Sequence, residues 1–316
     1  MRLLVTGGAG FIGSNFVQYI LDKHPDYEII NLDNLTYAGN LDNLKGVMDN
    51  PRHRFIQGSI EDGEVVDHVM TGIDVVINFA AESHVDRSIV EPQVFIKTNV
   101  LGTQVLLNAS LRHKVKLFNQ ISTDEVYGAL ELDTPQRFSE ESPLRPNSPY
   151  AASKAAADLL VMAYHRTYGL PVIISRCSNN YGPRQHSEKF IPTVILNALQ
   201  NSPIPIYGDG LYVRDWIHVL DHCRAIGMIL EKGRVGEIYN ISADNEWANI
   251  ELARIILQII GRPESLLQSV PDRPGHDRRY ALDSSRIKRE LGWKPEHAFE
   301  ATLGKTIDWY RQNRGW

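Results

Sequence analysis

Leu3-Leu4-Val5-Thr6-Gly7-Gly8-Ala9-Gly10-Phe11-Ile12-Gly13 opens the chain. Residues 3–6 read as a strand buried on both faces, and residues 14–21 carry apolar side chains at helical spacing, so the glycines lie on a strand-to-helix turn. Gly7, Gly10 and Gly13 leave room for a tight turn, for a pyrophosphate against the backbone, and for close packing of helix on strand. The helix N-terminus behind them offers free N–H groups and a partial positive charge. Asp33 ends the next apolar strand, 20 residues past Gly13. An acid there accepts hydrogen bonds from ribose hydroxyls and repels a 2′-phosphate, which favours NAD over NADP. The plain alternative is a glycine-rich turn that holds nothing.

Working outward, residues 28–33, 54–57, 74–80, 116–121 and 171–176 supply further strands, with helices between them, notably 94–113 and 150–168. Alternation at this spacing predicts a parallel sheet covered on both faces. After Arg176 the composition changes, and Pro183, Pro192, Pro203 and Pro205 interrupt a more irregular stretch. Residues 237–241 read as a strand able to rejoin the sheet, 250–260 as an apolar helix, 263–274 as loop, and 286–291 and 301–311 as closing helices. The expected fold is α/β, a Rossmann-like doubly wound parallel sheet with a smaller C-terminal lobe. Residues 1–178 would form the dinucleotide-binding domain, with 213–242 returning to its sheet, and 179–316 the discontinuous lobe.

A length of 316 residues suits that plan, and 43% hydrophobic with 22% charged residues is ordinary globular composition. The net charge of −5 argues against broad binding to nucleic acid or an anionic membrane. Residues 1–5 are too short for a signal-peptide core, and no run approaches the ~18 apolar residues of a membrane span. Cys177 and Cys223 cannot form a disulfide framework and read as inert buried thiols of a reducing cytoplasm. His218 and His222 have i, i+4 spacing, but no Glu follows His218, so no metal is expected.

The chemistry concentrates at strand ends, where open α/β sheets bind ligands. Tyr150-Ala-Ala-Ser-Lys154 lies downstream of Ser122-Thr123-Asp124-Glu125. Tyr150 and Lys154 would stand one turn apart on one helical face, where an ammonium favours the phenolate. Thr123 is placed to bond a substrate hydroxyl, and Asp124 and Glu125 to act as an acid and a base; a helix cap with acids in its first turn is the plain alternative. Ser59-Ile60-Glu61-Asp62 either borders an adenine or caps a helix. Asn78-Phe79-Ala80-Ala81, then Glu82-Ser83-His84-Val85-Asp86-Arg87, pack small and polar groups at the fourth strand's end. Asn179-Asn180-Tyr181-Gly182-Pro183 suits a polar ligand, and Pro205-Ile206-Tyr207 an aromatic wall or simple hairpin packing. Arg214 and the run from Asp272-Arg273-Pro274-Gly275-His276 to Tyr280 suit a diphosphate, or a surface ion-pair network.

With these pieces in order, the chain resembles the extended short-chain dehydrogenases/reductases, and more closely their dTDP-glucose 4,6-dehydratases of deoxysugar biosynthesis. The resemblance spans the full length and rests on Asn34-Leu35-Thr36-Tyr37-Ala38-Gly39-Asn40, the residues from Ala80 to Ser88, the Thr123-Asp124-Glu125 triplet, residues 177–183, Arg214-Asp215-Trp216 and residues 272–280. It implies catalysis by Thr123, Asp124, Glu125, Tyr150 and Lys154. It implies NAD contacts from Gly7, Gly10, Phe11, Ile12, Gly13, Asp33, Asn34, Leu35, Thr36, Ser59, Ile60, Ala80, Ala81, Ser83, Thr98, Tyr150, Lys154 and Asn180. It implies nucleotide-sugar contacts from His84, Thr123, Asn179, Lys189, Phe190, Pro205, Ile206, Tyr207, Arg214, Asn249, Asp272, Arg273, Pro274, Gly275 and His276. A homodimer through a four-helix bundle of 94–113 and 150–168 is implied as well. Two departures stand out: the short connection 111–115, and Ser242-Ala243-Asp244 in place of a glycine-containing turn. The rivals are a dehydratase of another nucleotide sugar such as UDP-glucose, a 4-epimerase, for which Asp124-Glu125 has no use, and a catalytically silent NAD-binding regulator.

Overall fold

Strand β1 (Arg2–Thr6), helix α1 (Phe11–Lys23) and strand β2 (Glu28–Asp33) form the opening βαβ unit of a computed structural model that describes residues 1–313. Strand β3 (His53–Gln57), α2 (Gly63–Met70) and β4 (Val75–Asn78) follow. Helices α3 (Val85–Val90) and α4 (Pro92–Phe95) come next, then π-helical turns over Ile96–Gly102 and α5 (Thr103–Arg112). Strand β5 (Leu117–Thr123), helix α6 (Pro149–Tyr168) and β6 (Val172–Cys177) complete the first run. The continuous helix expected over 94–113 is thus broken by π turns around Asn99, whose side-chain bonds no apolar periodicity records. The short connection after α5 closes with the Val115 N–H on the Ser110 carbonyl at 3.1 Å.

Helix α6 shows why the chain folds here as it does. The Ser148 side chain accepts from the Ala151 N–H, Pro149 takes the first helical position, and Gly169 ends the helix at φ 70°.

Beyond β6 come β7 (Asn179–Tyr181), α7 (Phe190–Gln200), β8 (Ile204–Tyr207), β9 (Val213–His218), α8 (Val219–Lys232) and β10 (Ile238–Ile241). Strand β11 (Glu246–Ala248), α9 (Asn249–Ile260), β12 (Leu267–Val270), α10 (Ser285–Leu291) and α11 (Phe299–Gln312) close the chain. The main sheet has seven strands in the order β10-β6-β5-β4-β1-β2-β3, and each pairing is parallel. Its strands are apolar runs because helices cover both faces. On one side Phe16, Val17 and Ile20 of α1 meet Ile226 and Ile229 of α8; on the other Val66, Leu106, Leu107 and Val161 come from α2, α5 and α6.

Within residues 213–242, only β10 joins this sheet, pairing with β6, while α8 covers one face. Strand β9 instead lies in a three-stranded sheet between β11 and β7. Strand β8 pairs in parallel with β12, so residues 205–208 belong to no hairpin. The lobe has its own core of Ile191, Ile195, Trp216, Leu252, Ile256 and Leu303. Asp244 adopts φ 56°, the left-handed conformation a glycine would take with less strain.

One ion pair is fully enclosed. Arg176 Nε donates to Asp158 Oδ2 at 2.9 Å, with side-chain exposures of 3% and 1%. Ser122 Oγ donates to the same oxygen at 3.0 Å, and Arg176 Nη1 to the Tyr127 hydroxyl at 2.8 Å. Removing one member of a buried pair leaves an uncompensated charge. Asp158→Ala should therefore cost about 3–5 kcal/mol, read as a lowered denaturant midpoint. Asp67→Ala, which breaks the surface contacts to Arg112 and His113, should leave the midpoint nearly unchanged. Equal losses would show that the enclosed pair is not a special support.

Candidate active site

The carboxyl ends of the parallel strands open into one cleft, and the glycine turn forms its floor. Gly7 sits at φ 70°, and a Cβ there would lie 2.6 Å from the Ala80 nitrogen. A Cβ on Gly13 would lie 2.3 Å from the Gly7 carbonyl, whereas one on Gly10 would meet only that carbonyl, at 3.3 Å. Gly7 and Gly13 thus serve packing, and Gly10 keeps the cleft side open. No side chain caps the N-terminus of α1, so its first N–H groups remain available to an anion. Asp33, 8% exposed, accepts from the Ala9 N–H through Oδ2 and the Leu35 N–H through Oδ1, both at 2.8 Å. Burial raises its carboxyl above the ordinary range, against the pull of these two bonds. Each oxygen keeps a lone pair for a ribose hydroxyl.

Of the expected cofactor residues, Gly7, Gly10, Phe11, Ile12, Gly13, Asp33, Asn34, Thr36, Ser59, Ile60, Ala80, Ala81, Ser83, Thr98, Tyr150, Lys154 and Asn180 line the cleft. Leu35 does not; its side chain packs against the core beneath α1. Ser59 lines the cleft, and Asp62 caps α2 by accepting from the N–H groups of Glu64 and Val65.

At the far end stand Thr123, Asp124, Glu125, Tyr150 and Lys154. Thr123 Oγ1 accepts from the Glu125 N–H at 3.3 Å and donates to Asp124 Oδ1 at 3.2 Å, so the capping and site roles coexist. Asp124 is 2% exposed, and its Oδ2 has no partner. Burial, then the Glu125 charge, raises the Asp124 carboxyl well above the usual range. Glu125 is also raised by burial, but Arg273, Arg214 and Lys189 pull it back.

Lys154 Nζ donates to the Ile121 carbonyl at 2.7 Å, and burial lowers its ammonium while Asp158 supports it. The Tyr150 phenol is pushed well above its ordinary value by burial, with Glu125 adding, against a hydrogen bond from Thr123. The phenol is thus raised where an ammonium one turn along was expected to lower it, with burial as the first cause and the carboxyls of Glu125 and Asp124 adding.

The expected substrate residues divide. Thr123, Asn179 and Lys189 line the cleft, and Lys189 Nζ is held on the Ser83 carbonyl at 2.8 Å. His84 caps α3 by accepting from the Arg87 N–H at 3.3 Å, with Nε2 3.6 Å from Glu188. Phe190 stacks on Trp216, Ile206 is buried in the lobe core, and Pro205 and Tyr207 occupy the exposed face of β8. Arg214 is committed to the carbonyls of Val213 and Asp277 and lies 4.2 Å over the Tyr280 ring. Asn249 Oδ1 is buried without a partner. In the loop from Asp272 through Pro274 and Gly275, Asp272 accepts from His276, which stacks on Tyr212. Arg278 and Arg279 of that run are paired with Asp209 and Glu246.

Cys177, Gln185, His186 and Glu188 also line the cleft and were not singled out from sequence. Only their position around the Asn179-Asn180 turn, Cys177 before it and the other three after it, could have flagged them. Asn99 was missed too: its amide joins the Glu82 backbone to Ser153 Oγ, at 2.8–3.0 Å.

A parallel sheet with a glycine-rich first turn and a Tyr–Lys pair one helical turn apart over its cleft defines a short-chain dehydrogenase/reductase of the extended type. The model of the GDP-mannose 4,6 dehydratase family matches residues 4–306, and the chain belongs to that family. It is 50% identical to a dTDP-glucose 4,6-dehydratase of Streptomyces niveus, over 100% of this chain and 94% of the relative. It is 51% identical to the low-salt glycan biosynthesis protein Agl12 of Haloferax volcanii, over 98% of each. Among solved structures, DesIV of Streptomyces venezuelae, a dTDP-glucose 4,6-dehydratase with NAD bound, matches at 52% identity with a TM-score of 0.97, over 100% of this chain and 98% of that one. A UDP-glucose 4-epimerase of Thermotoga maritima matches at 32% identity with a TM-score of 0.91, over 99% and 100%.

The raised Asp124 carboxyl has a stability consequence. Between its unfolded and folded values the folded state holds a proton that the unfolded state has lost, so stability falls as pH rises. Asp124→Asn removes that loss. The variant's denaturant midpoint should match the parent's near pH 4 and exceed it increasingly toward pH 7.5. A gap that stays constant with pH would mean that Asp124 ionises as freely as in the unfolded chain.

Proposed function

We propose that the protein is an NAD-dependent dTDP-glucose 4,6-dehydratase, a hydro-lyase forming dTDP-4-keto-6-deoxyglucose and water in deoxysugar biosynthesis. The observation that carries the reading is the pair of adjacent carboxyls beside Tyr150, one enclosed and one facing three cations. Shared fold alone cannot distinguish a dehydratase from an epimerase, but an epimerase has no work for such a pair.

NAD suits the cleft: Gly10 leaves its side open, the α1 N-terminus is uncapped, and Asp33 stands where ribose hydroxyls need an acceptor. When bound, NAD would supply the hydride acceptor for the sugar C4 and the hydride donor for C6, and its positive charge would oppose the burial and the carboxyls that raise the Tyr150 phenol. Tyr150 takes the proton of the 4-hydroxyl, with Thr123 bonded to it and Lys154 behind. A ketone at C4 makes the C5 proton acidic, and Glu125, whose three cations oppose the effect of burial, removes it. Asp124, neutral and with a free Oδ2, gives its proton to the departing 6-hydroxyl.

The NAD domain spans 1–178, and the nucleotide-sugar lobe lies mainly in 179–316, with β10 lent to the sheet. The working form is a homodimer in the cytoplasm. Val90, Val94, Ile96, Leu101 and Leu159, on the adjacent helices α3 to α6, are 41–80% exposed, an apolar face suited to a second copy. Two free buried cysteines are consistent with a reducing compartment. Leu159→Glu should shift the protein from dimer to monomer in sedimentation; an unchanged mass would move the interface elsewhere.

Glu125→Gln tests the reaction directly. Oxidation should proceed, because Tyr150 and Lys154 are intact, while water loss slows by ~10²–10⁴-fold. Mixing with dTDP-glucose should then build up NADH absorbance and a 4-keto nucleotide that retains its 6-hydroxyl, seen by mass after quenching. Turnover at the parent rate would remove Glu125 from the elimination step and reopen the epimerase reading.

A further inference from the structure

Asp86 and Arg273 meet where the two lobes approach each other. Asp86 lies in the first turn of α3, on the NAD side; Arg273 lies in the loop after β12. Arg273 Nη1 is 3.5 Å from Asp86 Oδ1, and the Tyr207 hydroxyl donates to Asp86 Oδ2 at 3.4 Å. One carboxylate therefore holds two side chains of the opposite lobe, one on each oxygen. Both contacts are long and Asp86 is 37% exposed, so they make a latch that opens readily. The Arg273 main chain is fixed separately, its N–H donating to Asp272 Oδ1 at 2.9 Å, while its Nε is buried without a partner. The guanidinium is thus held at Nη1, while Nε makes no hydrogen bond.

We propose, resting on the assignment of Glu125 as the base, that Asp86 is a positioning residue that draws Arg273 and Tyr207 over the cleft and holds the guanidinium beside Glu125 and the substrate anion. Glu125 is faced by Asp124 on its own turn, Tyr150 of α6, Lys189 before α7, Arg214 of β9, and Arg273, Asp277 and Tyr280 of the last loop. Arg273 is the largest of the cationic influences on it. Around Arg273 itself stand Asp86, His84, Lys189, Tyr207, Asp272 and His276.

Two effects of Asp86→Asn have opposite signs. Deleting a nearby negative charge would by itself make Glu125 easier to ionise and move the acid limb of the pH–kcat profile down. Releasing Arg273 from its place would make Glu125 harder to ionise and move the limb up. The latch requires the second, an upward shift of about half a unit, with KM for dTDP-glucose raised about three- to tenfold. Asp86→Glu, which keeps the charge, should restore most of both. In an Arg273→Ala background the substitution should have no further effect, since the pair acts as one unit. A limb that stays put or moves down, or effects that add in the double variant, would overturn the latch while parent turnover of dTDP-glucose leaves the main reading standing. A parent that forms no 4-keto product would remove the base on which the latch acts, and both would fall.

Discussion

The hold of α6 on the ends of β5 and β6 is the constraint on which the site depends. Lys154 reaches the Ile121 carbonyl, and Asp158, one turn further along the same helix, receives both Ser122 and Arg176. Lys154, Ser122 and Arg176 thereby all find acceptors inside a buried interface, where leaving any donor unpaired would be costly, while Asp158 Oδ1 is left without a partner. The consequence is geometric. Ser122 immediately precedes Thr123, Asp124 and Glu125, and Asp158 and Lys154 share a helix with Tyr150. Whatever fixes Ser122 against Asp158 also fixes the acid and base against the phenol.

Enclosure then gives these groups unlike characters. Asp124 is shut in, and its nearest charge is another carboxylate, so its neutral form is favoured. Glu125 opens toward the lobe and is faced by Arg273, Arg214 and Lys189. Two carboxyls adjacent in sequence thus differ in character through what lies across the cleft from each, which is what the proposed acid and base roles require. Tyr150 stands at the same junction, and the upward push on its phenol comes from the same enclosure with the same two neighbours. The lobe therefore contributes charge as well as contacts, and Arg214 does so while its own hydrogen bonds are spent on backbone.

Much of this was legible in the sequence because it is local. A glycine turn between a strand and a helix, an acid at the next strand's end, and Tyr150 with Lys154 on a capped helix each follow from spacing and backbone chemistry. The central sheet followed from apolar runs of strand length. What escaped depended on contacts across long separations. The π turns at Asn99 answer to Glu82 and Ser153, and no periodicity records such partners. The place of β9 beside β7 and β11 is set by the lobe's packing. The resemblance implied a cofactor contact from Leu35, whose side chain turns into the core while its N–H goes to Asp33. The phenol's raised proton affinity escaped because pairwise reasoning about an ammonium omits burial.

The two lobes also divide the tolerance for error. The NAD side is built on main-chain geometry, since Gly7 and Gly13 have no space for a Cβ and Asp33 is locked by two N–H groups. Such a site varies little without disturbing the sheet. The substrate side is assembled from long side chains reaching between lobes, such as Lys189 to the Ser83 carbonyl and Arg273 to Asp86. Those contacts can change without altering a strand. Residues at the end of β5 combine both properties: the backbone of Thr123 is fixed by the ladder to Cys177, while the side chains after it are free to vary. A fold common to epimerases and dehydratases can therefore differ at positions 124 and 125 and leave the sheet, the glycine turn and the Tyr–Lys pair as they were.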